Sequence, residues 1–216
     1  MAHFSFFHVG FLAQAMLWTV LLSVLAFAGG GLLGLAVALC RVSRRPVLRW
    51  VTGAYIQLVQ GTPLLVILFL AYFGISILGF QLAPLVAAGI ALTIYSAAFL
   101  GEIWRGCIEA VPRTQLEAAE CLGLSRAQQM AMVVLPQAAR IAVAPTVGFM
   151  VQIVKNTSLA SVIGFVELSR AGNLVNNATF QPFMVFITVA FFYFCLCYPL
   201  SLASRRLERR LNANRT

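Results

Sequence analysis

Charged residues are absent from two long stretches of the chain, and these gaps place its elements. No Asp, Glu, Lys or Arg occurs from Met1 to Cys40, and none from Trp50 to Gly101. A helix needs about 20 apolar residues to cross the hydrocarbon core of a bilayer. The first gap predicts one long, tilted span over 11–39. Within it Ala26, Gly30, Gly34 and Ala38 recur every fourth residue, a small-residue stripe that lets two helix backbones approach closely. The second gap holds two spans, predicted at 55–78 and 84–105 with a break at Gly79–Pro84. Further apolar stretches predict spans at 137–159 and 183–203. Residues 106–140 are the most polar long segment. Residues 160–182 are predicted as a loop carrying Glu167, Arg170, Asn173, Asn176 and Asn177. The expected fold is all-α and integral to a membrane, with five transmembrane helices forming a single domain over 1–216.

Composition supports the bilayer. Of 216 residues, 61% are hydrophobic and 10% charged, against about 45–50% and about 25% in an ordinary soluble domain. A soluble globule of this size lacks the polar groups to cover itself. The net charge of +9 would point to nucleic acid in a soluble protein, but the positions of the arginines point elsewhere. Thirteen of them fall in the Arg41–Arg49 loop, the 105–140 segment and the tail from Arg205, which five spans put on one side. Arg170 lies on the other, and Lys155, the single lysine, sits near it in a span. The positive-inside rule then puts the N-terminus outside and the C-terminus in the cytoplasm. No nucleic-acid partner is expected. Five cysteines without C-x-x-C spacing and two histidines near the N-terminus offer no metal set and no nucleophile–histidine–acid set. Neither a catalytic residue nor a metal site is expected. A cleaved secretory signal is not expected either, because the start lacks a basic region and the apolar run from Val9 to Cys40 far exceeds the usual core of about 7–15 residues.

The polar segment carries two capping-box patterns, Thr114 with Glu117 and Ser125 with Gln128. In such a pair each side chain satisfies an orphan amide at a helix start. Gly123 lies between them, where a left-handed residue would end a helix. The prediction is a short helix over 115–122, a tight turn at Gly123, and a second helix from Ala127 toward Pro136. Two short helices joined by a glycine also describe a DNA-binding helix-turn-helix. A position between two spans argues against that reading.

Glu117-Ala118-Ala119, Gly123 and Val133-Val134-Leu135-Pro136 match the E-A-A-x-x-x-G-x9-I-x-L-P signature of bacterial ABC importer permeases, with Val133 in place of the usual Ile. The chain resembles the polar amino-acid branch of that family, the histidine/glutamine/arginine type. Gly61-Thr62-Pro63-Leu64-Leu65, Tyr72-Phe73-Gly74, Glu102-Ile103-Trp104-Arg105-Gly106, Leu135-Pro136-Gln137-Ala138 and Lys155-Asn156-Thr157-Ser158-Leu159 extend the likeness over nearly the whole chain. Three positions depart from the pattern. Gln60 stands where Arg is frequent, Thr114 where Gly is common, and Asn156 where Asp is usual. The last removes a carboxylate at membrane depth and leaves the charge type of the substrate open.

The resemblance implies a coupling helix at Glu117, Ala118, Ala119 and Gly123, with Leu135 and Pro136 behind it, docked on a separate cytoplasmic ATPase dimer. It also implies a second permease copy or a homologous permease, an extracytoplasmic amino-acid-binding protein, an amino-acid substrate, and residence in the bacterial cytoplasmic membrane. No cofactor is expected on this chain; ATP would sit on the partner ATPase. In agreement, the sequence has no phosphate-binding G-x-x-x-x-G-K-[ST] loop, since its single lysine follows Val154. The chain is expected to be a transport subunit rather than an enzyme.

Polar residues inside predicted spans mark a candidate substrate path. Glu102 and Arg105 lie three apart and share a helix face. Charges at such depth cost about 2.5–3.5 kcal/mol each on insertion scales, so they face a polar cavity or each other. Both a path contact and an interfacial pair fit them. Gln152, Lys155, Asn156, Thr157 and Ser158 fit a path lining, and equally a solvated helix end. Two rival functions remain open: a stand-alone secondary transporter or channel for a small polar solute, and a membrane scaffold. The absence of an inverted repeat disfavours the first, and a scaffold would not need Glu102 or Lys155.

Overall fold

The computed structural model describes residues 4–213, with side chains to residue 209. These residues form eight helices and no strand. Helix α1 covers Phe6–Arg41, α2 Pro46–Gln60, α3 Leu64–Ile77, α4 Pro84–Glu109 and α5 Arg113–Cys121. Helix α6 covers Arg126–Ile163, α7 Leu168–Thr179 and α8 Pro182–Ala213. Helices α1, α4, α6 and α8 are each long and apolar enough to cross a membrane. Together α2 and α3 make a fifth candidate span, bent by 102°.

That bend corrects the single helix expected over 55–78. Pro63 has no amide proton for the helix ladder, and its ring disfavours helical geometry at Thr62. Helix α2 ends at Gln60 with Gly61 as its cap, and α3 starts after Pro63. Thr62 Oγ1 donates to the Leu58 carbonyl at 2.7 Å, satisfying one group exposed by the break.

Helix α6 runs longer than the 137–159 expected. Its start contains a wide π turn over Gln129–Val134. The turn lies just before Pro136, which lacks the N–H that would bind a carbonyl four residues back. The Gln137 side chain folds back beside it, its Nε2 donating to the Val133 carbonyl at 2.9 Å. The far end of α6 tightens into a 3-10 segment over Thr157–Ile163.

The small-residue stripe of α1 packs on α4, forming the most extensive helix pair among the described residues. Ala26, Gly30, Gly34 and Ala38 are all buried there. A Cβ at Gly30 would lie 2.3 Å from Ser96 Cβ, a contact no packed pair tolerates. The main core gathers Leu22, Leu68, Leu92, Leu100, Phe149 and Ile153 from α1, α3, α4 and α6. Large apolar residues such as Leu32, Ile77 and Phe183 point outward. That is the arrangement of a bundle solvated by lipid.

The 160–182 segment is not the loop expected. It contains the twelve-residue α7, capped by Glu167. Leu168, Ala171 and Val175 pack against Leu12 and Ala15 of α1 and Val185 and Val189 of α8. The pattern of α7 is amphipathic, but its cap is a glutamate rather than the usual Ser, Thr, Asp or Asn, so no start signal stands in the sequence.

Candidate functional site

The polar residues fall into two groups at opposite ends of the bundle. At the arginine-rich end, α4 runs through Val111 and Pro112 into α5, and α5 turns at Gly123 into α6. Gly123 has φ +73°. Its amide donates to the Glu120 carbonyl at 2.9 Å and the Leu124 amide to that of Ala119 at 3.1 Å, the paired closure of a Schellman turn. Ser125 then caps α6: Ser125 N donates to Gln128 Oε1 at 2.8 Å and Gln128 N to Ser125 Oγ at 3.5 Å. Gln129 Nε2 donates back to the Leu124 carbonyl at 2.9 Å. The turn is held by its own residues.

The Thr114–Glu117 capping box does not form. The residue before α5 is Pro112, whose geometry sets the helix start, and Thr114 lies inside the helix with no capping bond. Ala119 is buried, and Leu116 packs with Leu135 against Ile108, Val111, Val134 and Ala138. Glu117, Ala118, Glu120, Gly123 and Pro136 face outward, as does Leu122 at 78% exposure. The helix therefore fastens one edge to the bundle and presents the other.

One turn inward, Arg105 joins two carboxylates along a single face of α4. Its Nε donates to Glu102 Oε2 at 2.9 Å, and its terminal nitrogens bind Glu102 and Glu109. Arg41, at the end of α1, adds its charge beside Glu102. Glu102 and Arg105 thus satisfy each other.

At the opposite end, Gln152 and Lys155 are exposed, and Asn156 and Ser158 are half-buried. The Asn156 carboxamide faces the Tyr95 phenol of α4, and its Nδ2 is buried without a partner. Thr157 is fully buried and donates to the Val154 carbonyl at 2.8 Å, while Ser158 Oγ donates to that of Lys155 at 2.7 Å. Both hydroxyls close the helix end. Tyr95 is a polar neighbour that sequence reading did not single out. It lies in an uncharged run, and nothing local marks it.

Glu167 is the other residue missed. It is fully buried. Its carboxylate accepts from the amides of Ser169 and Arg170 and from the Tyr193 hydroxyl of α8, each at 2.8 Å. Leu168 N donates to Thr19 Oγ1 of α1 at 3.1 Å. Burial pushes the Glu167 carboxyl above the usual glutamate range, against the pull of these hydrogen bonds.

A cavity of about 580 Å³ opens between Phe27 and Leu35 of α1, Trp104 of α4, and Leu135, Ala142 and Thr146 of α6. Trp104 Nε1 donates to Thr146 Oγ1 at 2.8 Å, and the remaining lining is apolar. None of the polar residues expected along a path lines it.

Comparison with known proteins places this architecture. Residues 30–213 match the family model described as "Binding-protein-dependent transport system inner membrane component". The chain is 39% identical to the "Probable glutamine ABC transporter permease protein GlnM" of Bacillus subtilis (strain 168), over 89% of each chain. It is 35% identical to the "L-cystine transport system permease protein TcyB" of the same organism, over 93% of this chain and 86% of that one. Among solved structures, that of an amino acid ABC transporter with histidines is similar, with a TM-score of 0.88 and 33% identity over 93% of this chain and 94% of that one. A multi-pass helical bundle with this match over most of its length belongs to the inner-membrane component family of binding-protein-dependent transport systems.

Proposed function

We propose that this chain moves a polar amino acid across the bacterial cytoplasmic membrane as one permease of an ABC importer. The N-terminus then lies outside, and α5 lies in the cytoplasm with the arginine-rich loops. ATP is bound and hydrolysed on a separate ATPase dimer, and this chain performs no covalent chemistry. A second permease, identical or homologous, completes the channel. An extracytoplasmic binding protein delivers substrate at the α7 end.

The single observation that carries the reading is the closure of the α5 elbow by its own residues. Gly123 and Ser125 close it by hydrogen bonds within the elbow, while Glu117, Ala118 and Leu122 face outward. A stiff helix of this kind passes on a push from a docked ATPase, biasing a two-state bundle between its openings. Leu135 and Pro136 stand at the base of α6, where that push enters the spans. Gln152, Lys155 and Asn156 are the contacts proposed for substrate. Glu102 and Arg105 brace the α4 end that leads to α5.

Co-purification tests this. Tagged wild-type chain should bring down an ATPase, and reconstituted complex should take up amino acid only with ATP. Glu117→Trp should insert normally but lose ATPase association and uptake. Uptake without ATP, or full uptake by Glu117→Trp, would contradict the reading.

A further inference from the structure

The acidic side chains of the chain are few enough to follow one by one. There are six, all glutamate, and all lie among the described residues. Glu102 and Glu109 are both held by Arg105. Glu167 is fully buried as the cap of α7 and bonded to Ser169, Arg170 and Tyr193. Glu117 and Glu120 are exposed on α5, and Glu208 is exposed near the end of α8. No carboxylate remains for the cluster of Gln152, Lys155 and Asn156. The ionised group in that cluster is Lys155, exposed and without an ion pair among the described residues.

We infer that the transported amino acid carries no positive charge on its side chain, and that the Gln152–Lys155–Asn156 cluster makes this choice. The inference rests on the amino-acid import reading above. A cation brought into a low-dielectric path needs a counter-charge, and an unpaired one is strongly disfavoured. A side chain ending in a guanidinium or ammonium meets none here and adds to the charge of Lys155. A neutral amide side chain asks only for hydrogen-bond donors and acceptors. Those are present in the unpartnered Asn156 Nδ2, the Tyr95 phenol facing it and the exposed Gln152 carboxamide. The backbone carboxylate of such a substrate finds an ammonium in Lys155. Its own ammonium group is tied to that carboxylate and adds no net charge.

The test is equilibrium binding of radiolabelled L-glutamine and L-arginine to the permease–ATPase complex in lipid nanodiscs. The binding protein is left out, so that the permease alone discriminates. Glutamine should bind tighter than arginine by at least about tenfold, and Asn156→Asp should shrink that ratio by supplying a carboxylate. Arginine binding as tightly as glutamine to the wild type would overturn the inference while leaving amino-acid import intact. An unchanged ratio in a normally assembled Asn156→Asp complex would overturn the assignment to this cluster. Binding of neither amino acid would overturn this inference, and ATP-dependent uptake tests the import reading separately.

Discussion

Two short helices lie outside the long spans, and they are held in opposite ways. Helix α5 is closed by residues that are neighbours in sequence: Gly123, Ser125, Gln128 and Gln129. Helix α7 is closed by residues far away in sequence: Tyr193 of α8 bonds its cap, and Thr19 of α1 takes the Leu168 amide. Helix α5 leaves both its glutamates exposed, whereas the glutamate of α7 is fully buried. The first is therefore closed within itself and meets the bundle along one edge, through Leu116 and Ala119. The second is fixed to the bundle, and loosening it disturbs three helices at once.

The largest expected effect lies at α7. Glu167→Ala removes the acceptor shared by two part-buried amides and the Tyr193 hydroxyl, which keeps Ser169 Oγ as a partner, and should cost about 2–3 kcal/mol of stability, read as a lower thermal midpoint in detergent. A midpoint equal to that of the wild type would erase the contrast between the helices. The same residue gives a pH signature. Burial raises its pKa, so the folded chain keeps a proton that the unfolded chain releases. Stability should then fall as pH rises from the ordinary glutamate value through the raised one, and Glu167→Gln should flatten that slope.

A smaller effect is expected where α1 meets α4. Gly30→Val forces side-chain atoms into Ser96 and should cost about 1–3 kcal/mol by overpacking, visible in the same melting measurement. At α5 the effect shrinks further. Gly123→Ala puts a Cβ at φ +73° and should cost about 1–2 kcal/mol. Ser125→Ala removes the cap of α6 and should cost about 1 kcal/mol. Hydrogen exchange should show this loosening confined to 119–130; a spread into α7 or α8 would show that α5 is not self-contained. The smallest change in stability belongs to Glu117→Gln, within about 0.5 kcal/mol, because that side chain is exposed and makes no ion pair among the described residues.

The same contrast explains what was legible in the sequence. The elbow at Gly123 and the Ser125 cap are written in adjacent residues, so spacing alone found them. The stripe of Ala26, Gly30, Gly34 and Ala38 was legible as a periodicity, although its partner α4 was not. Helix α7 is not legible as a helix because its anchors are supplied by α1 and α8. The bend at Gly61–Pro63 lies inside an uncharged run, where charge gaps carry no information. The Thr114 box was a local pattern without a fold to match it, since Pro112 already sets the start of α5. Among the candidate path residues, spacing grouped Lys155 to Ser158 together. It does not show that Thr157 and Ser158 turn their hydroxyls back onto their own helix while Asn156 Nδ2 is buried without a partner.

The close approach of α1 to α4 has a practical use. With no side chain between the two backbones at Gly30, neither helix can slide without carrying the other. Leu32 lies on the opposite, open face of α1 at 76% exposure. A spin label placed there touches no working part, yet it will report every displacement of the helix that leads into the elbow.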